Sequence, residues 1–268
     1  MAFINILTLM AYRLQNVLTL KTFALLFFFS QIAVAQSCVC YQKDLLNDFK
    51  DTDFIGVVNV LGKKSHPSDA DIDVISISTQ EIIKGSELFE FYIFQKKGNG
   101  KNNDQCKLYL KEGDQLLLYA NQKGEYHYTM PCYRNKKLGN NEVNYQASLQ
   151  NHLKILRQLK RYQKELAEVT TRCSDAITDI QIGNTVGNIP LTTKHSRVGL
   201  YSVKFTEDDK IDRIEVVSTF NEEVDNKVRI ALIKKKWKPC KLNDDRKLIL
   251  GYFYTPATKY RQAHLSPL

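Results

Sequence analysis

The chain has 268 residues, enough for one large domain or two of ordinary size. It carries 38 lysine and arginine residues against 29 acidic residues, a formal net charge of +9. The basic residues are spread along the chain and alternate with acidic ones. We therefore interpret the charge as favouring solubility and weak attraction to anionic surfaces, and we expect no nucleic-acid partner.

The first 35 residues have the pattern of a secretory signal peptide. Arg13 and Lys21 precede a short apolar run, residues 22–29, and Ala33-Val34-Ala35 provides a small-x-small cleavage site. The apolar run is shorter than the ~20 residues that a membrane-spanning helix needs, and no later stretch approaches that length. We expect a mature chain outside the cytoplasm, either secreted, periplasmic or on the cell surface, with no transmembrane segment.

All six cysteines follow this signal sequence, which predicts a disulfide framework in an exported chain. Six cysteines allow 15 connectivities, so their number alone does not give the pairing. The five histidines are scattered singly and no C-x-x-C motif is present, whereas zinc sites need clustered ligands. We expect no intrinsic metal and no cofactor. The cysteines are Cys38, Cys40, Cys106, Cys132, Cys173 and Cys240.

The first half of the mature chain is rich in β-branched and alternating apolar runs. Such runs, separated by turn signals at regular spacing, favour a small barrel or sandwich. Strands are predicted at residues 53–60, 73–79 (continuing toward 85), 88–94, 115–120 and 125–130.

The pattern changes at Asn141. From Val143 to Leu166 apolar residues recur every three to four positions, which predicts one long amphipathic helix capped by Asn141. Its opposite face carries lysines and arginines, which we interpret as the solvent-facing side of a helix that closes a domain. We place the first domain at residues 38–168 and the second at residues 173–268.

The second domain predicts a compact α+β module. Strands at residues 199–205 and 211–218 form a hairpin, a helix capped by Asn221 follows, and a last strand covers residues 247–254. The predicted order is β-β-α-β, with one helix against a three-stranded sheet. The predicted buried stripe of the helix is Val224, Val228, Ala231 and Leu232.

An ordered set of features over residues 38–160 resembles the netrin-like family, whose best-known members are the tissue inhibitors of metalloproteinases. The features are Cys38-x-Cys40 at the mature end, the strand at residues 53–58, Ile82-Ile83-Lys84-Gly85, Cys106, Gly113 before a strand reaching Tyr119-Ala120, and Cys132-Tyr133-Arg134 before a helix. The resemblance implies an OB-type five-stranded barrel with a long flanking C-terminal helix. The predicted fold class is therefore mainly β, α+β, with the small β-β-α-β domain following the barrel.

The same resemblance implies a disulfide pattern and a mode of action. Cys38 would pair with Cys106 and Cys40 with Cys132, which leaves Cys173 to pair with Cys240. In the inhibitors, the α-amino group and carbonyl of the first cysteine chelate the catalytic zinc of a target protease, and the next residues fill its cleft. Applied to this chain, the resemblance implies that the partner is a zinc metalloprotease whose zinc is chelated by Cys38. The inhibitory ridge comprises Cys38, Val39, Cys40 and Tyr41, flanked by Asp104 and Gln105.

Whether the protein can chelate zinc in this way depends on the position of its mature N-terminus. Cleavage after Ala35 leaves Gln36 and Ser37 ahead of Cys38, and a buried terminal chelate does not tolerate such an extension. Cleavage after Ser37, which makes the signal peptide residues 1–37, places Cys38 first. Lipidation of Cys38 is a third alternative, although the residues before it form a poor lipobox. The plainest alternative is that the two cysteines only tie down a terminal segment.

Residues 198–256 resemble the C-terminal domain of the energy-transducing TonB proteins. That domain pairs a strand edge with an extended segment of a partner, so the resemblance implies β-augmentation. The alternative function is therefore a non-inhibitory scaffold or docking protein of the envelope or cell surface. The matching residues are Gly199, Val203-x-Phe205, Asp209 to Ile211, Ile214-x-Val216, Ser218 and Trp237-Lys238-Pro239.

No motif in the sequence indicates an enzyme. G-x-S-x-G, H-E-x-x-H and a glycine-rich phosphate loop are absent. Pairing of all six cysteines would leave no thiol nucleophile, and neither His127 nor His152 has a partner visible in the sequence. We expect an exported, disulfide-bonded protein-binding module and no catalytic activity.

Overall fold

A computed structural model describes residue 40 and residues 44–95, 107–139, 143–169, 197–208, 210–234, 246–255 and 264–268. The predicted signal peptide lies outside these residues. Among the described residues, no helix is both long enough and apolar enough to cross a membrane.

The described chain is mainly β. Its helices are α1 (Leu45–Asp51), α2 (Val143–Lys160), α3 (Gln163–Glu168) and α4 (Glu222–Lys234). Its strands are β1 (Phe54–His66), β2 (Asp69–Lys84), β3 (Glu90–Phe94), β4 (Gln115–Lys123), β5 (Tyr126–Thr129), β6 (Lys136–Leu138), β7 (Arg197–Phe205), β8 (Ile211–Ser218), β9 (Lys247–Thr255) and β10 (His264–Pro267).

The first five strands form a closed ring in the order β1-β2-β3-β5-β4-β1. Neighbours in the ring are antiparallel except β3 and β5, which pair in parallel with Tyr92 opposite Tyr128. Strand β6 adds to the start of β4. The ring encloses an apolar core. Its buried members are Phe54, Val58, Val60, Ile75, Ile77, Leu88, Phe91, Ile93, Leu110, Leu116, Leu118 and Ala120.

The second sheet has four strands in the order β10-β9-β7-β8. The prediction of three strands was wrong, because β10 was missed. That strand is only four residues long and contains Pro267, so it carries no alternating pattern. The helix of this unit begins as predicted, since the Asn221 side chain accepts a hydrogen bond of 2.8 Å from the Val224 amide.

Helix α2 and the second sheet share one apolar core with the outside of the ring. Strands β1 and β4 direct Ile55, Val57, Leu117 and Tyr119 outward, and these residues join a cluster with α1, α2, α3 and one face of the second sheet. The other face of that sheet packs on α4. A hydrogen bond of 2.7 Å from the Val198 amide to the Gln158 side chain joins β7 to α2.

The long predicted helix is interrupted. Helix α2 ends at Lys160, a turn follows, and α3 begins at Gln163. The predicted burial of its first turns was also wrong, since Val143 is 82% exposed and Leu149 is the first buried residue. The basic face is not simply solvated, because Arg157 binds Glu81 at 2.7 Å and Lys160 donates to the Ile82 carbonyl.

Two glycines of β1 provide a test of how tightly the ring is packed. A Cβ atom on Gly56 would lie 2.6 Å from the Glu81 carbonyl oxygen and from the Phe54 ring, whereas nothing lies within 4 Å of one on Gly62. We expect Gly56→Ala to lower the free energy of unfolding by about 1–3 kcal/mol, because the backbone must shift. Gly62→Ala is the matched control and should change it by less than about 0.5 kcal/mol. Urea titration would measure both, and equal losses would contradict the packing.

Candidate functional site

Only part of the predicted ridge lies within the described residues. Cys40 is described, whereas Cys38, Val39, Tyr41, Asp104 and Gln105 lie outside them. The same holds for Cys106, Cys173 and Cys240, so two of the three predicted disulfides remain predictions. The two places where the ridge segments join the fold are described, and they form the candidate site.

The first of these places is a disulfide bond. Cys40 is bonded to Cys132 with a Cα–Cα distance of 5.1 Å, and 92 residues separate the two in sequence. This is the pairing that the resemblance implies for these two cysteines. Closing a loop of this size stabilises a fold by roughly 4–5 kcal/mol in the chain-entropy model. The bond also fixes the chain just before α1 to the loop after β5.

Helix α1 follows the disulfide and is capped at its start. The Asp44 side chain accepts hydrogen bonds from the Asn47 amide at 2.7 Å and from the Asn47 side chain at 2.6 Å. This satisfies donors at the helix start, where backbone amides have no partner within the helix. Leu46 and Phe49 are buried in the core shared with α2. A helix of seven residues is too short to be stable alone, so these contacts hold it in place.

Lys84, at the end of β2, closes the other end of α1. Its ammonium donates to the carbonyls of Phe49 and Lys50, both at 2.8 Å, and lies 5.5 Å from the centre of the Phe49 ring. A cation at this end also offsets the negative end of the helix dipole. Burial lowers the pKa of Lys84, and the charges of Asp53 and Asp51 act in the opposite direction.

The loop that carries Cys132 is held by polar contacts of Arg134 and Asn135. Arg134 forms an ion pair with Asp48 of α1, and each side chain is only about one-fifth exposed. Asn135 donates to the Thr129 hydroxyl at 2.7 Å and accepts from the Tyr119 amide at 2.8 Å. The segments next to the two cysteines, α1 and the loop after β5, are therefore held by contacts other than the disulfide itself.

The second place is the base of the segment that contains Asp104 and Gln105. The Gln95 side chain accepts a hydrogen bond of 2.9 Å from the Leu108 amide, so it joins the two described ends of this segment. Its amide nitrogen donates to the buried Asp73 carboxylate at 2.9 Å. Asp73 in turn binds the Lys63 ammonium at 2.8 Å. The charge of Asp73 is thus compensated, as a buried carboxylate requires.

A buried polar pair lies between β4 and α2. The Tyr119 hydroxyl and His152 Nε2 share a hydrogen bond of 2.6 Å. Burial, and then the positive charges of Lys136 and Arg134, lower the pKa of His152 to about 3, while burial raises the pKa of Tyr119. Both groups are therefore neutral at ordinary pH. With its pKa lowered this far, the His152 imidazole stays neutral, and its hydrogen bond to Tyr119 joins α2 to β4.

The second sheet offers an edge. Within the described part of the chain, strand β8 lies at the end of the sheet and pairs with β7 on one side. The start of α4 is tied to β7, because the buried Asp225 accepts from the Tyr201 hydroxyl at 2.7 Å and also from the Thr219 hydroxyl. Burial and then this hydrogen bond raise the pKa of Tyr201. Buried hydrogen bonds therefore hold α4 to the sheet that ends in β8.

Several residues of the site were not predicted for these roles. Lys84 and Arg134 belong to motifs that the sequence singled out, but their partners lie 35 and 86 residues away. Asp48, Gln95 and Asn135 carried no signal in the sequence. Within the described ranges, no group of three or more His, Cys, Asp or Glu side chains is arranged to hold a metal ion.

In comparisons with known proteins, no protein-family model and no curated protein matches the chain. The two resemblances therefore rest on the residues given above.

The buried histidine makes stability depend on pH. His152 has a pKa of about 3 in the folded protein and about 6.5 when unfolded. The folded state excludes the proton, so stability is full above the unfolded pKa and declines as the pH falls from there toward 3. We expect this group alone to contribute a slope of about 1.4 kcal/mol per pH unit over that range.

The variant His152→Gln keeps a hydrogen-bonding group beside Tyr119 and removes the titration. Urea unfolding between about pH 6 and pH 4 should give a slope lower by about one proton in the variant than in the wild type. Identical slopes would show that His152 accepts a proton in the folded state.

Proposed function

We propose that this protein is an exported, disulfide-bonded binding module of the netrin-like type, and that it inhibits a zinc metalloprotease through the ridge at its mature N-terminus. The observation that carries this proposal is the Cys40–Cys132 disulfide beside α1. It attaches the chain next to the predicted N-terminus to the ring, as a presented terminus requires.

The strand order supports the finer description of the ring as an OB-type barrel. An OB fold is a five-stranded Greek-key barrel. A ring of five strands with the order β1-β2-β3-β5-β4-β1, in which the one parallel pair closes between β3 and β5, is compatible with such a barrel. The helix after the ring also fits the netrin-like description.

The two fixed bases support the mode of action. A segment that enters a protease cleft loses conformational entropy on binding, and a segment that is already held loses less. Residues 38–41 would be anchored at Cys40, which the disulfide bonds to the loop after β5. The segment with Asp104 and Gln105 would start from the Gln95–Leu108 hydrogen bond, which joins its ends. Both parts of the ridge therefore begin from ordered residues.

The chemistry of a free N-terminus suits the zinc of a protease. A catalytic zinc site keeps one coordination position open for water or substrate. An α-amino group has a pKa of about 8, so a useful fraction is neutral near pH 7 and can donate its lone pair. The carbonyl oxygen of the same residue supplies the second ligand.

The mature N-terminus tests the proposal directly. Intact-mass and N-terminal sequencing of the protein exported by its native host should give a chain that begins at a free Cys38 with all six cysteines oxidised. A chain with one alanine added ahead of Cys38 should then lose at least a hundredfold in inhibition of the host's zinc proteases, assayed with a quenched fluorescent peptide. The same alanine added after Leu268 is the control. A native chain beginning at Gln36 would rule out chelation.

The β8 edge favours one further function, a docking protein that adds a partner's strand to the second sheet. Deleting the whole second unit is a poor test of this function, because it would expose the face of α2 that the sheet covers. Proline substitution within β8 is more selective, since a proline is tolerated in a strand only where its missing N–H faces away from the ladder.

Neighbouring residues of a strand direct their N–H groups to opposite sides, so Arg213→Pro and Ile214→Pro form a matched pair. The variant whose replaced N–H faces away from β7 should unfold near the wild-type temperature. The variant whose replaced N–H bonds to β7 should unfold well below it. If β8 docks a partner, the stable variant should lose co-sedimentation with the host's envelope fraction, and adding a residue before Cys38 should leave it intact. Retention by the stable variant would exclude strand addition at β8.

A further inference from the structure

A row of aromatic side chains runs across the outside of the ring. We call it the aromatic row, and it comprises His66, Tyr92, Phe94, Tyr126, Tyr128 and Tyr133. Each ring contacts the next, with centroid separations of 6.1, 5.2, 6.5, 5.4 and 6.4 Å along the sequence of contacts from His66 through Tyr92, Tyr126, Phe94 and Tyr128 to Tyr133.

The row lies on the outer face of β3 and β5. Phe91 and Ile93 fill the interior of the ring, so Tyr92 and Phe94 point to the opposite side. Tyr128 is the register partner of Tyr92 and shares its face. All six rings are partly exposed to solvent. The apolar outer residues of β1 and β4, by contrast, are covered by α2. Among the residues that the structure describes, Tyr133 is the member of the row that packs against this covered layer.

The charges of the described residues beside the row favour an uncharged ligand over a polyanion. Glu90 accepts a hydrogen bond of 3.2 Å from the Tyr92 hydroxyl, so a carboxylate stands at the row itself. Lys123, opposite Tyr126, is an exposed cation at its edge and balances that charge. Binding of a nucleic acid needs an excess of cations to replace the counterions of its phosphates. A balanced surface of rings and hydroxyls instead matches an uncharged ligand.

The size and backbone pairing of the row disfavour two modes of protein binding, one that uses the rings alone and one that adds a strand. Six partly buried rings expose on the order of 300 Å², whereas a stable protein interface needs ~800 Å² from each partner. Strand β3 has neighbours β2 and β5, and β5 has neighbours β3 and β4, so the row offers no free strand edge for an added peptide strand. A narrow ligand that lies on side chains fits this surface.

We propose that the aromatic row binds a neutral oligosaccharide. Sugar rings would lie with their C–H faces against the exposed parts of the tyrosine and phenylalanine rings, which are inclined to one another by 47 to 79° and so offer several separate contact faces. Tyrosine provides both an apolar face and a hydroxyl for hydrogen bonding. The Glu90 carboxylate accepts from sugar hydroxyls. The prolines of a proline-rich peptide offer fewer such donors, since proline has no backbone N–H.

Affinity electrophoresis of the full mature protein tests the proposal. Native gels would contain laminarin, dextran, galactomannan, arabinoxylan or glycol chitin, which are neutral and differ in sugar and linkage. We expect at least one of them to retard the wild-type protein. The double variant Tyr126→Ala/Tyr128→Ala should bind that polysaccharide at least tenfold more weakly. Phe89→Ala is the matched control, because Phe89 is an aromatic residue that is 73% exposed and lies outside the row.

A second measurement avoids dependence on the folding of the double variant. Nitration of the wild-type tyrosines by tetranitromethane, mapped by mass spectrometry, should be reduced at Tyr126 and Tyr128 by the retarding polysaccharide and unchanged at Tyr109. Acetylating the N-terminus should leave retardation intact, which separates this site from the proposed ridge.

Three results would overturn the proposal. The first is that none of the five polysaccharides retards the wild type. The second is retardation that survives in a folded double variant without protection of Tyr126 and Tyr128. The third is that a decaproline peptide or a single-stranded oligothymidine, and no polysaccharide, binds in a way that requires these two tyrosines.

Discussion

The structure depends on the covering of the outer apolar face of the ring by α2. A closed ring fills its interior with one set of side chains, but β1 and β4 are apolar on both faces and must also be covered outside. Each of these large side chains contributes about 1.5–3 kcal/mol when it is removed from water. Helix α2 supplies that cover, and the second sheet covers the far side of the same layer. The base of the candidate site belongs to this layer, because Leu46 and Phe49 of α1 are buried in it.

The polar groups within these layers are arranged so that they do not oppose this burial. A buried hydroxyl or carboxylate without a partner costs about 1–3 kcal/mol or more. Tyr119 meets His152 between the ring and α2, and Tyr201 meets Asp225 between β7 and α4. Each pair joins a strand to a helix at one point. Apolar packing allows many relative positions of helix and strand, so these pairs select one of them.

Strands with clear alternation could be predicted from the sequence, and β8 matches its predicted bounds of residues 211–218. Helix α1 was missed because seven residues give fewer than two full periods, although Asp44 followed by Asn47 is a capping signal. The basic face of α2 was interpreted as solvated, yet Arg157 binds Glu81, 76 residues earlier in the chain. Periodicity gives the apolar side of a helix but not the partner of its polar side. The same limit applies to the candidate site. The resemblance implied the pairing of Cys40 with Cys132, whereas the supporting contacts of Lys84 and Arg134 depend on tertiary structure.

Two sides of the ring differ in how far they are covered, and this difference separates the contacts that stabilise the fold from the surface proposed to bind a ligand. The side covered by α2 carries the apolar contacts on which folding depends, so substitutions there change stability before they change binding. The side formed by β3 and β5 keeps its interior residues buried, while its outer rings contact one another and remain partly exposed. Tyr133 links the two, because it ends the aromatic row, follows Cys132 directly, and packs against the layer of α2. A ligand on the row and a partner on the ridge would therefore share one fixed support, the loop held by Arg134 and Asn135, and yet contact different atoms.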